Sequence, residues 1–200
     1  MVTLWPWART LPPMERFLLL QTFIEAVIAV YADFYGRLTG LAEGQPAPIQ
    51  DKINAVQKFM KTPMYAQRLS ADGTQLAGAR TKIIENDLAW EAHLVEGMWL
   101  TKHETKYYLF YAGNDFSTDQ YGIGVAIADS PLGPYRKMTK PFLQSTADWW
   151  APGHPSVVTG PDGKPVLFLH AFFPGEAGYK KFRALLAVPL TFKEDQVLFS

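Results

Sequence analysis

The spacing of apolar residues changes along the chain near residue 60. Upstream of this point, apolar residues recur every three or four positions, which matches one face of a helix. The clearest series is Phe17, Leu20, Phe23, Ile24, Val27, Ile28 and Tyr31. Downstream of Pro63, short β-branched and aromatic runs alternate with Asp-Gly and Gly-Pro turns. The pattern predicts an N-terminal helical segment over residues 1–60 and a mainly β domain over residues 61–200.

The apolar run in the helical segment has a second interpretation, as a signal peptide or a membrane span. Gln21 and Glu25 interrupt the run, and it falls short of the roughly 20 apolar residues that cross a bilayer. We therefore expect a packed helix, no clear signal peptide and no membrane partner. Cytoplasmic and secreted locations both stay open.

The strand-like runs of the β domain follow one another at short intervals. They cover residues 64–69, 95–102, 106–112, 122–128, 135–138, 155–159, 165–171, 182–190 and 197–199. Four consecutive antiparallel strands are typical of a propeller blade. The runs between residues 95 and 138 form one such group, and those after residue 155 form a second. We therefore predict a partial β-propeller of antiparallel four-stranded blades.

Composition and charge remove several classes of function. The 19 basic and 19 acidic residues give a formal net charge of zero, so no overall field attracts nucleic acid, and we expect no nucleic-acid partner. The absence of cysteine excludes disulfide scaffolds, Cys-zinc sites and thiol catalysis. Any metal ion must therefore be held by oxygen or imidazole.

Glu96 is the acidic residue with the clearest candidate chemistry. It lies between Val95 and Met98 in a predicted strand, where apolar neighbours partly desolvate its carboxyl group. Desolvation favours the uncharged acid, which can donate a proton to a leaving oxygen. Spacing alone favours a simpler alternative, a strand-end glutamate that pairs with an arginine or faces water.

The segments around Glu96 carry a family resemblance. They are residues 63–73, 90–99, 107–116, 121–126, 130–135, 152–158 and 169–171, which include Glu96-Gly97-Met98, Pro152-Gly153-His154 and Leu169-His170-Ala171. Together and in this order they resemble the five-bladed β-propeller glycoside hydrolases of family 43 over about residues 63–200. The resemblance implies inverting hydrolysis of α-L-arabinofuranosides or β-D-xylosides of plant cell-wall polysaccharide. An oligosaccharide or polysaccharide is therefore the expected partner.

By this resemblance Glu96 matches the general acid of the family. The family places that acid in a Glu-Gly-Pro or Glu-Ala-Pro motif, whereas Met98 stands here in place of the proline. Loss of proline frees φ and restores a backbone donor, so the aim of the carboxyl group can shift while the acid is retained.

The resemblance also suggests which residues bind the substrate. It implies that His154 lies near the sugar and that Arg183 donates hydrogen bonds to sugar hydroxyls through its planar fork. His170 is implied to face a central ion or water cluster, which makes calcium a candidate cofactor but not a required one. Aromatic rings can stack on sugars, and the candidates for this role are Trp99, Trp150 and Phe116. The alternatives are histidines bonded to backbone carbonyls, a solvated arginine, and aromatic rings that belong to the core.

Other catalytic patterns find no support. The spacing of His93 and His103 matches no zinc site, and we expect both side chains at the surface. No Gly-x-Ser-x-Gly nucleophile elbow occurs. Gly122-Ile123-Gly124 lies within a predicted strand and lacks the third glycine of a phosphate loop.

The second carboxylate of an inverting enzyme is not identified by the sequence. The family takes its base from an aspartate far upstream of the acid, and the upstream candidates here, Asp33 and Asp51, lie in other sequence contexts. An alternative is therefore a non-catalytic or vestigial carbohydrate-binding propeller fragment that lacks the base. A third interpretation is an unrelated N-terminal segment fused to a fragment with no selected activity.

An incomplete propeller also leaves sheet edges and an inner face open. We expect either the N-terminal helices or a second copy of the chain to cover these surfaces, and a homodimer is the predicted assembly.

Overall fold

The fold is described from a computed structural model, over the backbone of residues 17–19 and over residues 60–193 and 195–200. The described residues divide into two compact units, which are taken separately below. One contains residues 17–19, Met60 and Met64–Lys82, and the other contains Lys61–Pro63 and Ile83–Ser200. The predicted boundary near Lys61 stays a prediction. In the described part of the chain, no helix has the length and apolar character needed to cross a membrane.

The first unit contains a three-stranded sheet. Its strands are β1 (Phe17–Leu19), β2 (Met64–Leu69) and β3 (Leu76–Ile84), in that order, and the last two residues of β3 belong to the second unit. The turn between β2 and β3 is the predicted Asp-Gly hairpin, in which Ser70 N donates to Gln75 O over 2.8 Å. Asp72 accepts hydrogen bonds from Ser70 and Thr74, which lower the pKa of this exposed carboxyl group to about 2.

The predicted helix in residues 1–60 lies almost wholly outside the described residues. The described part, Phe17–Leu19, is extended instead, and it pairs antiparallel with residues 66–68 of β2. Strand pairing satisfies the backbone of such a short apolar run, and periodicity alone cannot tell this arrangement from a helix turn.

The second unit begins with a four-stranded antiparallel sheet. Its strands are β4 (Val95–His103), β5 (Lys106–Gly113), β6 (Gly122–Ala128) and β7 (Arg136–Lys137), with neighbours in sequence paired in the sheet. A short 3₁₀ helix, Ala89–Glu91, precedes it. The most buried strand is β6, whose residues are all buried. This sheet agrees with the first predicted blade.

A second sheet of the same kind follows. It contains β8 (Trp150–Thr159), β9 (Pro165–Phe172), β10 (Ala184–Lys193) and β11 (Gln196–Phe199), again paired in sequence order. Two successive sheets with this topology confirm a mainly β, partial propeller fold. The strand β8 begins five residues before the predicted run at residue 155, and its first half is irregular, as described below.

The core lies where the two sheets of the second unit pack together. It combines Tyr108, Phe110, Ile123, Val125 and Ile127 of the first sheet with Val157, Leu167, Leu169, Leu190 and Val197 of the second. Burial of these apolar side chains is the main stabilising contribution, worth about 1.5–3 kcal/mol for each fully buried large side chain. The packed core fixes the sheets that carry the candidate site.

A buried ion pair ties the 3₁₀ helix to β7. Glu91, which is fully buried, accepts hydrogen bonds from Lys137 Nζ over 2.7 Å and from the Tyr111 hydroxyl group over 2.7 Å. Lys137 Nζ also contacts Asp87 Oδ1 at 2.6 Å. Removal of one partner from such a pair leaves an uncompensated buried charge, which is strongly destabilising. We therefore assign Glu91 to structure rather than to chemistry.

Candidate active site

Glu96 lies near the start of β4, next to an interruption of the strand ladder. It pairs with Ala112 of β5, and the register shifts between Glu96 and Trp99. Gly97 sits in this bulge with φ +58°, a conformation that glycine adopts without strain. The Glu96 side chain is half-buried, and Tyr121 donates a hydrogen bond to its Oε1 over 2.7 Å.

Tyr121 is the buried partner of this carboxyl group. Its side chain is fully buried just before β6. Burial, followed by the nearby charge of Glu96, raises the pKa of the hydroxyl group well above its usual range. The group is therefore a neutral hydrogen-bond donor at every pH at which the protein would work. A Cβ atom at Gly153 would overlap the Tyr121 ring, so only glycine leaves room for this side chain.

His154 approaches the same hydroxyl group from β8. Its Nδ1 lies 3.5 Å from the Tyr121 oxygen, at the outer limit of a hydrogen bond, and its side chain is exposed. The backbone of His154 has φ +48°, which is uncommon for a residue with a side chain and is concentrated at functional sites. A Cβ at Gly97 would lie 3.0 Å from His154 Cγ, so β4 and β8 meet closely here.

The sequence of β8 explains this geometry. Pro152 and Pro155 lack the N–H group that a strand ladder needs, which favours bulges. The register of β8 against β9 shifts between Trp150 and Gly153 and again between Gly153 and Ser156. The irregular strand therefore turns His154 away from a regular ladder position and toward Tyr121.

His170 and Arg183 form the second pair of the site. Arg183 NH1 lies 3.2 Å from His170 Nε2. Burial, then the charges of Arg183 and His154, lowers the pKa of His170 to about 4. The imidazole is therefore neutral near neutral pH. Because a guanidinium group can only donate, Nε2 accepts and the imidazole proton is on Nδ1.

Ring contacts join the two pairs into one cluster. The His170 ring lies 6.3 Å from the Tyr121 ring at an angle of 10° and 5.7 Å from the His154 ring at 25°. The structure thus brings together Glu96, His154, His170 and Arg183, four residues that the sequence singled out, with Tyr121 among them.

The predicted aromatic residues separate into two groups. Phe116 and Trp150 pack against the small cluster that contains Tyr121 and Phe172, and Arg183 lies over the Phe116 ring at 5.0 Å. Trp99 instead packs against the main hydrophobic core. The structure therefore places Phe116 and Trp150 beside the candidate site and Trp99 in the core packing.

His93 corrects an expectation from the sequence. Its side chain, in the segment between the 3₁₀ helix and β4, is 7% exposed rather than at the surface. Burial lowers the pKa of His93, whereas Asp115 and Glu96 act in the opposite direction. His103 is half-buried and stacks on Phe192 at 4.8 Å, so it too is not a free surface residue.

The described residues do not fit direct calcium ligation by His170. Within residues 60–193 and 195–200, no group of three or more acidic or histidine side chains could hold a metal ion. The nitrogen that does not face Arg183, Nδ1, carries a proton by the argument above and so has no lone pair for a metal. This Nδ1 is buried and has no hydrogen-bond partner among the described residues, which suits donation to a water molecule. Calcium held through water stays a prediction.

Tyr121 and Gly153 are the site residues that sequence reasoning did not select. Both occur in segments that carry the resemblance, yet neither has chemistry that draws notice alone. A tyrosine before an apolar strand is typically a core residue, and its role here depends on a contact with β4 across 25 positions. The one sequence signal of the close approach between β8 and Tyr121 is Gly153, which lies with His154 between Pro152 and Pro155.

Comparison with known proteins identifies the family of this chain. The profile of glycosyl hydrolases family 43 matches residues 52–198. A β-D-galactofuranosidase of Aspergillus niger is 38% identical over 77 residues, which is 38% of this chain and 22% of that protein.

Solved structures agree as well. A thermostable family-43 glycoside hydrolase is 30% identical with a TM-score of 0.61, covering 70% of this chain and 47% of that one. An endo-1,4-β-xylanase from Bacteroides thetaiotaomicron is 25% identical with a TM-score of 0.63, covering 69% of this chain and 50% of that one. This chain thus spans about half the length of these solved relatives and about a fifth of the curated one. The chain belongs to glycosyl hydrolase family 43.

Proposed function

We propose that this chain is a glycosidase of the inverting type, with Glu96 as the general acid. The proposed substrates are α-L-arabinofuranosides and β-D-xylosides, such as those of plant cell-wall polysaccharide. The observation that carries the proposal is the 2.7 Å hydrogen bond from the buried Tyr121 hydroxyl group to Glu96 Oε1. It holds a half-buried carboxyl group beside two histidines and an arginine.

The hydrogen bond assigns the two oxygens of Glu96 different tasks. Tyr121 occupies Oε1 as a donor, so the proton that Glu96 gives to the glycosidic oxygen is carried on Oε2. As the bond to the sugar breaks, the leaving oxygen takes this proton, and the resulting carboxylate keeps the hydrogen bond from Tyr121. A fixed donor on Oε1 favours one orientation of the acid throughout this step.

Arg183 and His154 are proposed to bind the sugar. Arg183 is exposed, but its guanidinium group is oriented by the rings of Phe116 and Phe172 at 5.0 and 5.1 Å. A planar fork held in this way can donate to two neighbouring hydroxyl groups. His154 is exposed beside Tyr121, where its ring can contact the sugar whose glycosidic oxygen receives the proton.

Two relatives frame the proposed substrate class. One is named for cleaving β-D-galactofuranosides and the other for cleaving β-1,4-linked xylan. The proposed arabinofuranosides share the furanose ring with the substrate of the first relative, and the proposed xylosides share xylose with that of the second. Each relative is longer than this chain, so the activity of the whole protein is part of what is proposed.

The water-activating carboxylate is not assigned. An inverting enzyme needs it about 6.5–9.5 Å from the acid, and Asp33 and Asp51 lie outside the described residues. Asp115 is the nearest alternative, because its charge and that of Glu96 both act on His93 and on Tyr121. Its Oδ1, however, accepts from the backbone and hydroxyl of Ser117 over 2.8 and 2.6 Å, so we assign it to loop structure.

The test of the proposal is hydrolysis of phenyl α-L-arabinofuranosides and phenyl β-D-xylosides, whose poor leaving groups need a proton. We expect Glu96→Gln to lower kcat/KM at least about 100-fold, the usual lower contribution of a general acid. Glu104→Gln, at an exposed turn of the same hairpin, is the matched control and should keep full activity. Equal activity of Glu96→Gln and the unmodified protein would contradict the assignment.

Binding without turnover would favour the second candidate, a carbohydrate-binding propeller that lacks its base. The observation behind this alternative is that no water-activating carboxylate is assigned among the described residues, whereas the sugar binding proposed for Arg183, His154 and Phe116 does not require one. Calorimetry with oligosaccharides, together with the absence of hydrolysis by the unmodified protein, identifies that outcome.

A further inference from the structure

The imidazole ring of His170 is held by its neighbours on several sides. Its centroid lies 6.3 Å from that of Tyr121, 5.7 Å from that of His154 and 6.2 Å from that of Phe172. The ring is nearly parallel to Tyr121, at 10°, and meets Phe172 edge-on, at 72°. Contacts of this kind leave the ring little freedom to turn. Its Nε2 atom, which lies 3.2 Å from Arg183 NH1, therefore has a fixed position.

The guanidinium group of Arg183 rests against two aromatic rings. Its central carbon lies 5.0 Å from the ring centroid of Phe116 and 5.1 Å from that of Phe172. Tyr179 contacts Phe116 edge-on at 4.8 Å, which supports that ring. An aromatic face attracts the cation but does not distinguish one N–H group from another. The hydrogen bond to His170 does distinguish them, because it gives NH1 a particular partner.

The acceptor for Arg183 is a neutral ring rather than a carboxylate. Within residues 60–193 and 195–200, Arg183 forms no ion pair, and His170 is the hydrogen-bond acceptor of its guanidinium group. A carboxylate typically occupies two guanidinium N–H groups at once, whereas one imidazole nitrogen occupies one. The N–H groups on NH2 and Nε of Arg183 therefore stay available, and its positive charge is not neutralised.

We propose that His170 is a positioning residue for sugar binding, and that it acts through Arg183. Its Nε2 lone pair holds NH1, which turns the remaining N–H groups of the guanidinium fork toward the sugar hydroxyl groups. An exposed arginine without such a contact loses more side-chain freedom when it binds a ligand, and this loss weakens binding. The inference rests on the proposed function and deepens it. It uses Nε2, the nitrogen opposite the one that would face a water cluster.

A double-mutant cycle on phenyl α-L-arabinofuranoside and phenyl β-D-xyloside tests this role. We expect His170→Leu to raise KM about tenfold and to change kcat less than about twofold, because the sugar is bound less well before and during the reaction. In the Arg183→Met background, His170→Leu should have no further effect on KM, because the group through which it acts is gone.

Two further variants separate the lost acceptor from a general disturbance of the fold. His170→Gln offers an amide oxygen as acceptor and should recover most of the KM of the unmodified protein. His103→Leu is the matched control, since His103 is also a half-buried histidine, on β4, but stacks on Phe192. It should leave KM unchanged.

Nitrogen-15 NMR of the histidine rings tests the arrangement without any turnover. The signals of His170 are those that disappear in His170→Leu. We expect a proton on Nδ1 and an unprotonated Nε2 that accepts a hydrogen bond near neutral pH, and Arg183→Met should shift the Nε2 signal toward that of a free acceptor. A proton on Nε2 in the unmodified protein would overturn the proposal.

Two kinetic results would also overturn it. One is an equal rise in KM for His170→Leu with and without Arg183, which would mean that the two residues act independently. The other is the same rise when a chelator is added to the unmodified protein, which would mean that His170 acts through an ion. Absence of turnover together with the expected NMR signals would reject the proposed function alone. Turnover together with a proton on Nε2 would reject the positioning role alone.

Discussion

At the scale of single residues, one buried hydroxyl group aims the proposed acid. Tyr121 is held in place by burial, by its contact with His170 and by the close approach of Gly153. Its hydrogen bond to Glu96 replaces a contact with water that the carboxyl group would otherwise make. The orientation of the acid is thus set by a residue that does not contact the substrate, which makes Tyr121 a positioning residue.

Tyr121→Phe tests this role. The change removes only the hydroxyl group, so we expect kcat to fall about tenfold while KM stays within about twofold, because the lost contact orients the acid rather than the sugar. Tyr135→Phe is the matched control, since its hydroxyl group donates to Pro131 O over 2.9 Å in a turn. Parallel losses of kcat and of thermal stability in both variants would mean that Tyr121 is merely structural.

At the scale of elements, the irregular first half of β8 determines which side chains reach the site. Its two prolines and two register shifts turn His154 out of the ladder, and Gly153 lets the strand pass over Tyr121. A regular strand would place alternate residues on opposite faces and would not bring this histidine to the acid.

Gly153→Ala should therefore be unusually costly. The added Cβ overlaps the fully buried Tyr121 ring, and overpacking of this kind costs about 1–3 kcal/mol. At Gly163 a Cβ meets open space, so Gly163→Ala carries only the backbone cost of its positive φ. Chemical denaturation should show a larger loss of unfolding free energy at position 153, and the reverse order would refute the close-approach argument.

The strands were largely predictable from the sequence, whereas their irregularities were not. Alternating and apolar runs located β4, β5, β6 and β9 to within about two residues, because burial against one core imposes that pattern. The strand β3 has a weaker pattern, since most of its residues outside the last two are exposed. Burial of His93 depends on a tertiary contact that local sequence does not encode.

The candidate site was predictable only as far as its motifs reached. The motifs point to Glu96, His154, His170 and Arg183, and these four residues come together. They also point to Trp99, but a strand residue next to a bulge can face either side, and here it packs against the core. The link through Tyr121 joins distant strands, so the spacing of residues carries no sign of it.

At the scale of the whole molecule, sheet edges and apolar side chains remain open in the described part of the chain. Leu185 on β10 is 75% exposed, and Leu198 on β11 is 43% exposed. Open edges and apolar surface of this kind favour association with another copy.

The predicted homodimer is tested by light scattering coupled to size exclusion. We expect a species with twice the mass of one chain at micromolar concentration, and Leu185→Asp should shift it toward a single chain by placing a charge on the apolar surface. A single-chain mass at every concentration would remove the dimer from the account without affecting the assignment of Glu96.

The most direct test of the central claim is the leaving-group dependence of the Glu96→Gln protein. A general acid matters most when the leaving oxygen needs its proton. The account predicts a large loss of kcat/KM for alkyl or phenyl glycosides, whose leaving groups are poor, and a much smaller loss for dinitrophenyl glycosides. The same loss for both kinds of substrate would contradict proton donation by Glu96.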